Sequence, residues 1–168
     1  VVTTNTFGAN RIKLAEYNLE TKLAEINVAA ARCARAAAGK NLVAGGIGPT
    51  GKFVEPVGDL PFDAAVRIFA EQANALKKGG VDLIIIETMM DIKEMKAAIV
   101  GAKTTGLPIV ATMTFDETLR TVLGTPPESF AIMAASLGVA AIGANCSLGI
   151  EGILKAVTAM ASVTDVPL

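Results

Sequence analysis

The residues best suited to chemistry lie where a short apolar segment ends, within residues 138–149. Small and β-branched residues here predict a buried strand, which delivers Asn145 and Cys146 to its end before a Gly turn and a new helical pattern. A thiol in that position would carry the chemistry, because the dipole of a following helix stabilises a thiolate. The alternative interpretation is that Cys146 packs as an inert small hydrophobe.

A second candidate is Glu87, which directly follows the clearest strand pattern of the sequence, residues 81–86. A continuous β-branched run of this kind predicts burial on both faces, as in a parallel sheet. The carboxylate would then emerge at the strand end, where it could pair with an ammonium group. The other interpretation is an ion pair or a cap for the next helix, since carboxylates are seldom placed at such an edge unless paired.

Other predicted strands also end in polar or glycine-rich segments. They cover residues 1–4, 41–45 and 107–114, and the candidate residues at their ends are Asn5 with Thr6, residues 48–51, and Thr114 to Asp116. In α/β folds functional groups gather at the carboxyl ends of the strands, so we expect all these ends to meet on one rim. The segment Gly48-Pro49-Thr50-Gly51 could cradle an anion, but it lacks the spacing of a phosphate-binding motif.

Helical patterns separate these strands. They cover residues 11–38 with a break near Asn18, residues 62–78, 91–103 and 127–137, and a last pattern after residue 149. Asp91 is predicted as an N-cap, and Glu94 three residues later completes a capping-box pattern. We expect packing roles for Cys33, Met89, Met90 and Met95, and a solvated loop face for Asp116, Glu117 and Arg120.

The alternation of strand and helix, without a low-complexity linker, favours parallel βα units with right-handed crossovers in one domain, residues 1–168. A closed (βα)₈ barrel typically needs about 250 residues, and a doubly wound open sheet needs fewer. Length therefore favours the open sheet. The ends favour a barrel with pieces missing, because the sequence opens on Val1 as though inside a strand, and residues 165–168 resemble the approach to another.

Composition excludes several classes of function. With 15 basic and 16 acidic residues, the chain has a net charge of −1, which provides no footprint for nucleic acid. The apolar run at residues 83–86 is far shorter than the roughly 20 residues of a membrane helix, and no signal-type segment opens the chain. The 2 cysteines resemble thiols of a reducing cytoplasm. In the absence of histidine, a metal here would rely on Cys or carboxylate ligands.

Several segments occur in an order that is similar to one known family. They are residues 4–10, 48–51, 86–88 with Asp91 and Glu94, 112–115 and 143–149. Together they resemble the homocysteine S-methyltransferase family over essentially the whole chain, and most closely the homocysteine-binding domain of cobalamin-dependent methionine synthase. The resemblance implies a (βα)₈ TIM barrel, present here as a partial barrel of roughly strands two to six.

The resemblance also implies a site. In that family zinc is held by three cysteines and binds the homocysteine sulfur; the first ligand maps onto Cys146, and the other two are expected outside this chain. A thiol bound to zinc loses its proton at neutral pH, so homocysteine could attack the methyl group without a histidine base. By resemblance, Glu87 would hold the amino group of homocysteine, and Asn5 and Asn145 would shape its pocket. Residues 1–168 alone would then be inactive.

The methyl donor implied by the resemblance is methylcobalamin or methyltetrahydrofolate, with cobalamin on another domain, because residues 115–124 and 127–128 look more like the cobalamin-dependent branch than the betaine branch. Two alternatives stay open. One is another TIM-barrel enzyme of the pterin-binding or aldolase type, although no predicted strand ends in the Lys that an aldolase needs. The other is a noncatalytic binding module. Exposed parallel edges would favour association, so a homo-oligomer is also among the expected partners.

Overall fold

The computed structural model describes all residues, 1–168, and alternates strands with helices. The strands are β1 (Val2–Thr3), β2 (Val43–Ile47), β3 (Leu83–Met89), β4 (Ile109–Met113) and β5 (Ala141–Ala144). The helices are α1 (Arg11–Ala15), α2 (Leu23–Ala38), α3 (Phe62–Gly79), α4 (Ile92–Lys103), α5 (Pro127–Ser136) and α6 (Ile150–Ala161), with a 3₁₀ turn, Glu20–Lys22, before α2. Asn18, at the predicted break, has a left-handed φ of 57°.

The strands form one parallel sheet whose spatial order equals the sequence order, β1-β2-β3-β4-β5. A doubly wound sheet reverses its strand order at a switch point, and this sheet contains no reversal. Each βα unit instead adds its strand beside the previous one, as successive units of a (βα)₈ barrel do. The fold is therefore α/β with a five-stranded parallel sheet, consistent with part of such a barrel. The open doubly wound sheet that length favours is not formed.

Consecutive helices from α2 to α6 pack against one another, and α2, α3, α4 and α6 also contact the sheet. One buried cluster fills the space between these layers, and its largest side chains include Phe69, Phe130 and Ile99. Full burial of such a side chain contributes about 1.5–3 kcal/mol to the free energy of unfolding. The packing of the helices on the sheet therefore fixes the positions of the strand ends. None of the helices is both long and apolar enough to cross a membrane.

Strand β3 differs from its predicted form in position and in burial. It spans Leu83–Met89 rather than residues 81–86, so Glu87 lies inside the strand and not after it. Ile84 and Ile86 are fully buried, whereas Ile85 is only partly buried, so the predicted burial on both faces is wrong. The reason is that helices cover the face that carries Ile84, with α4 packed on β3 and Leu76 of α3 beside Ile84, and the opposite face stays partly open.

Two residues predicted to pack are exposed instead. Cys33 is exposed because it lies two positions beyond Ala31, which faces inward, and is thus turned by about 200° to the outer face of α2. Met90 follows the end of β3 and is 41% exposed. Met89 and Met95 are fully buried, as the sequence predicts.

Residues 164–168 lie beside the outer edge of β5. The carbonyl of Pro167 accepts a hydrogen bond from the N–H of Ile142 at 2.9 Å, as the carbonyl of Pro108 does from Ile84 at 2.9 Å where β4 begins. In both places a threonine three residues before the proline accepts a backbone N–H with its side chain, at Thr105 and Thr164. This segment therefore has the geometry with which the chain enters β4.

Gly80 ends α3 with a left-handed φ of 95°, and its N–H donates to the carbonyl of Lys77. A Cβ at this position would meet no atom within 4 Å, so the only penalty for a side chain is conformational. We expect Gly80→Ala to lower the free energy of unfolding by about 1–2 kcal/mol, and Gly80→Asn by less, because asparagine tolerates this backbone. Urea unfolding of the three proteins measures the effect; equal losses for Ala and Asn would contradict it.

Candidate active site

The side-chain amide of Asn145 joins the ends of neighbouring strands. Its Oδ1 accepts hydrogen bonds from the backbone N–H of Thr88 at 3.1 Å and from the hydroxyl of Thr112 at 2.7 Å. Its Nδ2 donates to Oγ1 of Thr88 at 2.7 Å and to Sγ of Cys146 at 3.2 Å. The hydrogen-bonding capacity of this amide is therefore used within the chain. Its effect is to fix Cys146 relative to β3 and β4.

The backbone around this amide adopts conformations that are uncommon outside glycine. Thr88, Cys146 and Ser147 have left-handed φ values of 62°, 61° and 55°. Such conformations cost on the order of 1–3 kcal/mol each, persist only where the surroundings enforce them, and cluster at functional sites. The hydrogen bonds of Asn145 supply that restraint at Thr88 and Cys146. Backbone strain is thus concentrated where the candidate residues lie.

The end of β3 is irregular at the residues that carry its polar groups. Its register with β4 shifts between Ile86 and Met89, which is a bulge at Glu87 and Thr88. The bulge breaks the alternation of burial, so Glu87 and Thr88 are both partly buried although they are adjacent. As a result Thr88 contacts Asn145 beyond β4, whereas the side chain of Glu87 lies against β2 on the other side.

Glu87 lies next to Gly46 of β2. A Cβ on Gly46 would stand 3.3 Å from Oε1 of Glu87 and 3.3 Å from the carbonyl oxygen of Thr4, so glycine leaves room for the carboxylate. Burial raises the pKa of Glu87, and no hydrogen bond or neighbouring charge contributes to the shift. A partly buried carboxylate without a partner favours a cationic ligand, which would replace the solvation that burial removes.

Asn5 is exposed at the β1 end of the same rim. The buried residues on either side of it, Thr4 and Thr6, share a hydrogen bond between their hydroxyls at 2.6 Å. Thr4 Oγ1 accepts from the N–H of Gly46 at 2.9 Å, and Thr6 Oγ1 donates to the carbonyl of Gly46 at 2.7 Å. The backbone on both sides of Asn5 is therefore fixed beside Gly46, the residue that Glu87 contacts.

Two cavities adjoin the loop that carries Cys146, and Ser147 borders both. The larger, of about 470 Å³, lies at the start of α6 and is lined in part by Glu151 and Lys155. The smaller, of about 180 Å³, is lined in part by Met90 and Phe115. A space of the larger size is enough for a small-molecule ligand. Ser147, the neighbour of Cys146, lines both cavities, whereas Cys146, Glu87, Asn5 and Asn145 line neither.

The predicted capping box at the start of α4 forms only in part. Asp91 is the N-cap, as predicted, and its Oδ1 accepts from the N–H of Lys93 at 2.8 Å. Glu94 does not complete the box: its Oε1 accepts from the N–H of Thr50 at 2.7 Å and from the Thr50 hydroxyl at 2.6 Å. That part of the prediction is wrong, because a partner distant in the sequence supplies two donors in place of the single local one.

The buried carboxyl group of Glu94 should make the free energy of unfolding depend on pH. Burial raises its pKa, the hydrogen bonds from Thr50 oppose the rise, and the charge of Asp91 adds to it. A raised pKa in the folded state contributes stability that is fully present below the unfolded pKa of about 4.3 and is lost as pH rises through the folded value. We therefore expect the wild type to gain stability relative to Glu94→Gln as pH falls from about 7 to about 4. Urea unfolding across this range tests it, and a pH-independent difference would contradict it.

The sequence of this chain matches one known protein family. A sequence profile of homocysteine S-methyltransferases matches residues 1–168. The chain belongs to the homocysteine S-methyltransferase family. The family predicted from the motifs is therefore confirmed.

Solved structures share the fold of this homocysteine S-methyltransferase family member. The metallated form of the homocysteine methyltransferase MmuM from Escherichia coli is 24% identical, with a TM-score of 0.80, and the match covers 99% of this chain and 64% of that one. Its oxidized form is 23% identical, with a TM-score of 0.83 and coverages of 99% and 63%. The carboxyl transferase domain of Rhizobium etli pyruvate carboxylase is 16% identical, with a TM-score of 0.57 and coverages of 91% and 26%. The chain thus spans less than two thirds of the length of the MmuM structures it matches.

The zinc site implied for the homocysteine S-methyltransferase family does not fit the residues of this chain by themselves. Cys146 is exposed at the rim, and the other cysteine, Cys33, lies on α2. No group of three or more His, Cys, Asp or Glu side chains in residues 1–168 could hold a metal ion. Because a zinc site needs several such ligands, residues 1–168 supply at most one of them, and the exposed sulfur of Cys146 is the candidate.

The structure brings most of the predicted site residues to one edge of the sheet. Thr114, at the end of β4, donates its hydroxyl to the carbonyl of Asn145 at 3.0 Å. As predicted, the charged side chains of the following loop are exposed: Asp116, Glu117 and Arg120. The substrate roles of Glu87, Asn5 and Asn145 stay predictions. Gly46 has no predicted role, although a glycine inside a buried strand is a signal of close approach by another group.

Proposed function

We propose that this chain forms the homocysteine-binding part of a homocysteine S-methyltransferase. The observation that carries the proposal is the placement of an unpaired carboxylate, Glu87, and an exposed thiol, Cys146, on either side of Thr88 at the rim of the sheet. Homocysteine has an ammonium group at one end and a thiol at the other, so it needs complementary groups at two nearby points. Family membership supports the same substrate.

Each candidate residue then has a distinct role. Glu87 binds the ammonium group of homocysteine, and Asn5 borders that end of the pocket. Asn145 shapes the pocket indirectly, because its amide is occupied by Thr88, Thr112 and Cys146 and acts by holding the thiol in place. In this proposal the sheet is an arc of a closed (βα)₈ barrel, roughly strands two to six, which the sequential parallel strand order supports.

Cofactor and donor complete the proposal. Cys146 would contribute one of three thiolates to zinc, and the other two would come from outside residues 1–168. Bound zinc would supply the acidity that turns the substrate thiol into a thiolate. The hydrogen bond from Asn145 to Sγ supports this role, since metal ligands are commonly oriented by such contacts. The donor is methylcobalamin or methyltetrahydrofolate, with cobalamin carried on another domain, as the resemblance of residues 115–124 and 127–128 implies.

The aldolase-type alternative lacks support from the strand ends. The five strands end at Thr3, Ile47, Met89, Met113 and Ala144, so none presents the lysine that a Schiff base needs. The likeness to the Rhizobium etli carboxyl transferase domain concerns the fold, at 16% identity. A noncatalytic binding module is the remaining alternative, and substitution at Cys146 separates it from the enzyme.

Substitution of Glu87 tests the substrate assignment. We expect Glu87→Gln to weaken homocysteine binding about tenfold, or about 1.4 kcal/mol, because the amide keeps the shape and loses the charge that pairs with the ammonium group. The matched control is 4-mercaptobutanoate, which lacks the amino group and should bind both proteins equally. Because the pKa of Glu87 is raised, homocysteine binding to the wild type should weaken as pH falls through it, whereas binding to the variant should stay constant.

Calorimetric or NMR titration of the two ligands into both proteins provides the measurement. A wild type that does not prefer homocysteine over 4-mercaptobutanoate would overturn the assignment of Glu87. Equal loss of both ligands in Glu87→Gln would also contradict it, because that result would indicate damage to the pocket rather than loss of one ion pair.

A further inference from the structure

Buried carboxylates outside the proposed site hold the loop that follows β2. Glu94 is 3% exposed, and Thr50, which donates its N–H and its hydroxyl to Oε1 of Glu94, is 1% exposed. Asp91 is 2% exposed, and its Oδ2 accepts from the N–H of Val54 at 3.2 Å. The first turn of α4 thus holds both ends of the segment from Thr50 to Val54.

The held loop in turn contacts the loop that carries Asn5. Asn10 Nδ2 donates to the carbonyl of Pro49 at 3.2 Å, and the N–H of Gly48 donates to the carbonyl of Phe7 at 3.0 Å. A Cβ on Gly48 would lie 2.6 Å from the ring of Phe7, so the two loops are in close contact there. Residues 48 and 49 therefore help to hold residues 5–10, together with the buried amides of Gln72 and Asn27, which donate to the carbonyls of Thr6 and Ala9. Residues 48–50 are in turn held by Glu94 at Thr50.

Stability alone does not account for a carboxylate at this position. Burial raises the pKa of Glu94, which means that its ionised form is disfavoured in the folded chain and lowers stability at neutral pH. An apolar side chain would avoid that penalty but could not accept the two hydrogen bonds from Thr50. The specific effect of the carboxylate is therefore the fixed position of the loop.

We propose that Glu94 is a positioning residue for the rim: by accepting both hydrogen bonds from Thr50, it fixes residues 48–51 and, through them, helps to hold residues 5–10 beside Glu87. The link between Glu94 and homocysteine binding rests on the proposed function. The link between Glu94 and the positions of the two loops does not.

Hydrogen exchange of the 168-residue chain, followed by NMR, tests the inference. In Glu94→Leu we expect the amides of Gly48 and Thr50 to exchange at least about tenfold faster than in the wild type, beyond any change in the amides of β4. Glu94→Gln should keep the protection, because its amide oxygen can accept both hydrogen bonds. The matched control is Ile99→Ala, which removes a fully buried side chain from the same helix and leaves the Thr50 contacts intact.

Two outcomes would overturn the inference. One is a loss of loop protection in Glu94→Leu no greater than in Ile99→Ala, which would mean that general destabilisation explains the effect. The other is a loss in Glu94→Gln equal to that in Glu94→Leu. If Glu94→Leu does not fold, Thr50→Val, which removes one donor, provides the same comparison with Ile99→Ala.

Homocysteine titration adds a second readout. We expect its dissociation constant to rise about tenfold in Glu94→Leu and to be unchanged in Glu94→Gln, because the loops that border the ligand move only in the former. If the wild type binds no homocysteine, the proposed function fails, and the exchange rates still decide whether Glu94 fixes the two loops.

Discussion

Replacing Cys146 with alanine is expected to lower the rate of methyl transfer to homocysteine by at least about a hundredfold, in any active preparation that contains residues 1–168. Cys146 provides the exposed sulfur at the rim, and Asn145 orients it with a hydrogen bond of 3.2 Å. Alanine removes that sulfur without adding backbone strain, because both residues carry the same Cβ at a φ of 61°. The loss should therefore be one of chemistry rather than of folding.

The chain offers a matched control in its second cysteine. Cys33 is also exposed but lies on the outer face of α2, so Cys33→Ala should leave the rate unchanged. Methionine formation measured by mass spectrometry, together with urea unfolding of both variants, separates activity from stability. An unchanged rate in Cys146→Ala would favour the noncatalytic binding module and remove Cys146 from the site.

The order of the elements could be predicted from the sequence because it depends on local patterns. Residues 62–78 and 91–103 have helical spacing, and the observed helices α3 and α4 lie within one residue of those limits. The rim could be predicted for a similar reason, since parallel strands place their ends at one edge. Asn145 and Cys146 follow β5 as expected, and Thr88 lies at the end of β3 that faces them.

The contacts within the rim could not be predicted, because they depend on register. A bulge in β3 turns Glu87 toward β2 and Thr88 toward Asn145, and no residue type in residues 81–89 specifies a bulge. The double acceptance by Glu94 is similar: its partner, Thr50, lies 44 residues earlier, so the local capping box was the only arrangement visible in the sequence. Side-chain partners across a sheet are set by packing, which residue patterns do not encode directly.

The two-sided burial predicted for β3 failed for a related reason. A run of β-branched residues indicates a strand that is covered on both faces, but it does not state which element provides each cover. Here α3 and α4 cover the face with Ile84, and the face with Ile85 stays partly open. Ile85 and Glu87 lie on the same, partly open face of the sheet. The face that was wrongly predicted to be buried is therefore the face that carries the candidate site.

Gly101→Val is expected to lower the free energy of unfolding by about 3–5 kcal/mol, a large share of the roughly 5–15 kcal/mol of a typical domain. Gly101 lies where α4 packs on α3, and a Cβ there would stand 2.6 Å from the carbonyl oxygen of Val66 and 2.8 Å from the backbone nitrogen of Ala70. Both are backbone atoms of a helix, so they cannot move aside as a side-chain tip would. The helices must separate.

Helix propensity and helix packing change the free energy of unfolding of Gly101→Val in opposite directions. Replacing glycine in a helix stabilises the folded state by at most about 1 kcal/mol through helix propensity. Separation of α3 from α4 costs more than this, because it exposes apolar surface of the buried core. Phe69 belongs to that core, and its Cβ stands 3.1 Å from the added Cβ. The matched control is Gly8→Ala, where a Cβ would meet nothing within 4 Å and stability should change little. If Gly101→Val unfolds at the same urea concentration as the wild type, the α3–α4 seam is looser than described, and the strand ends that it supports would not be held firmly enough to fix the rim.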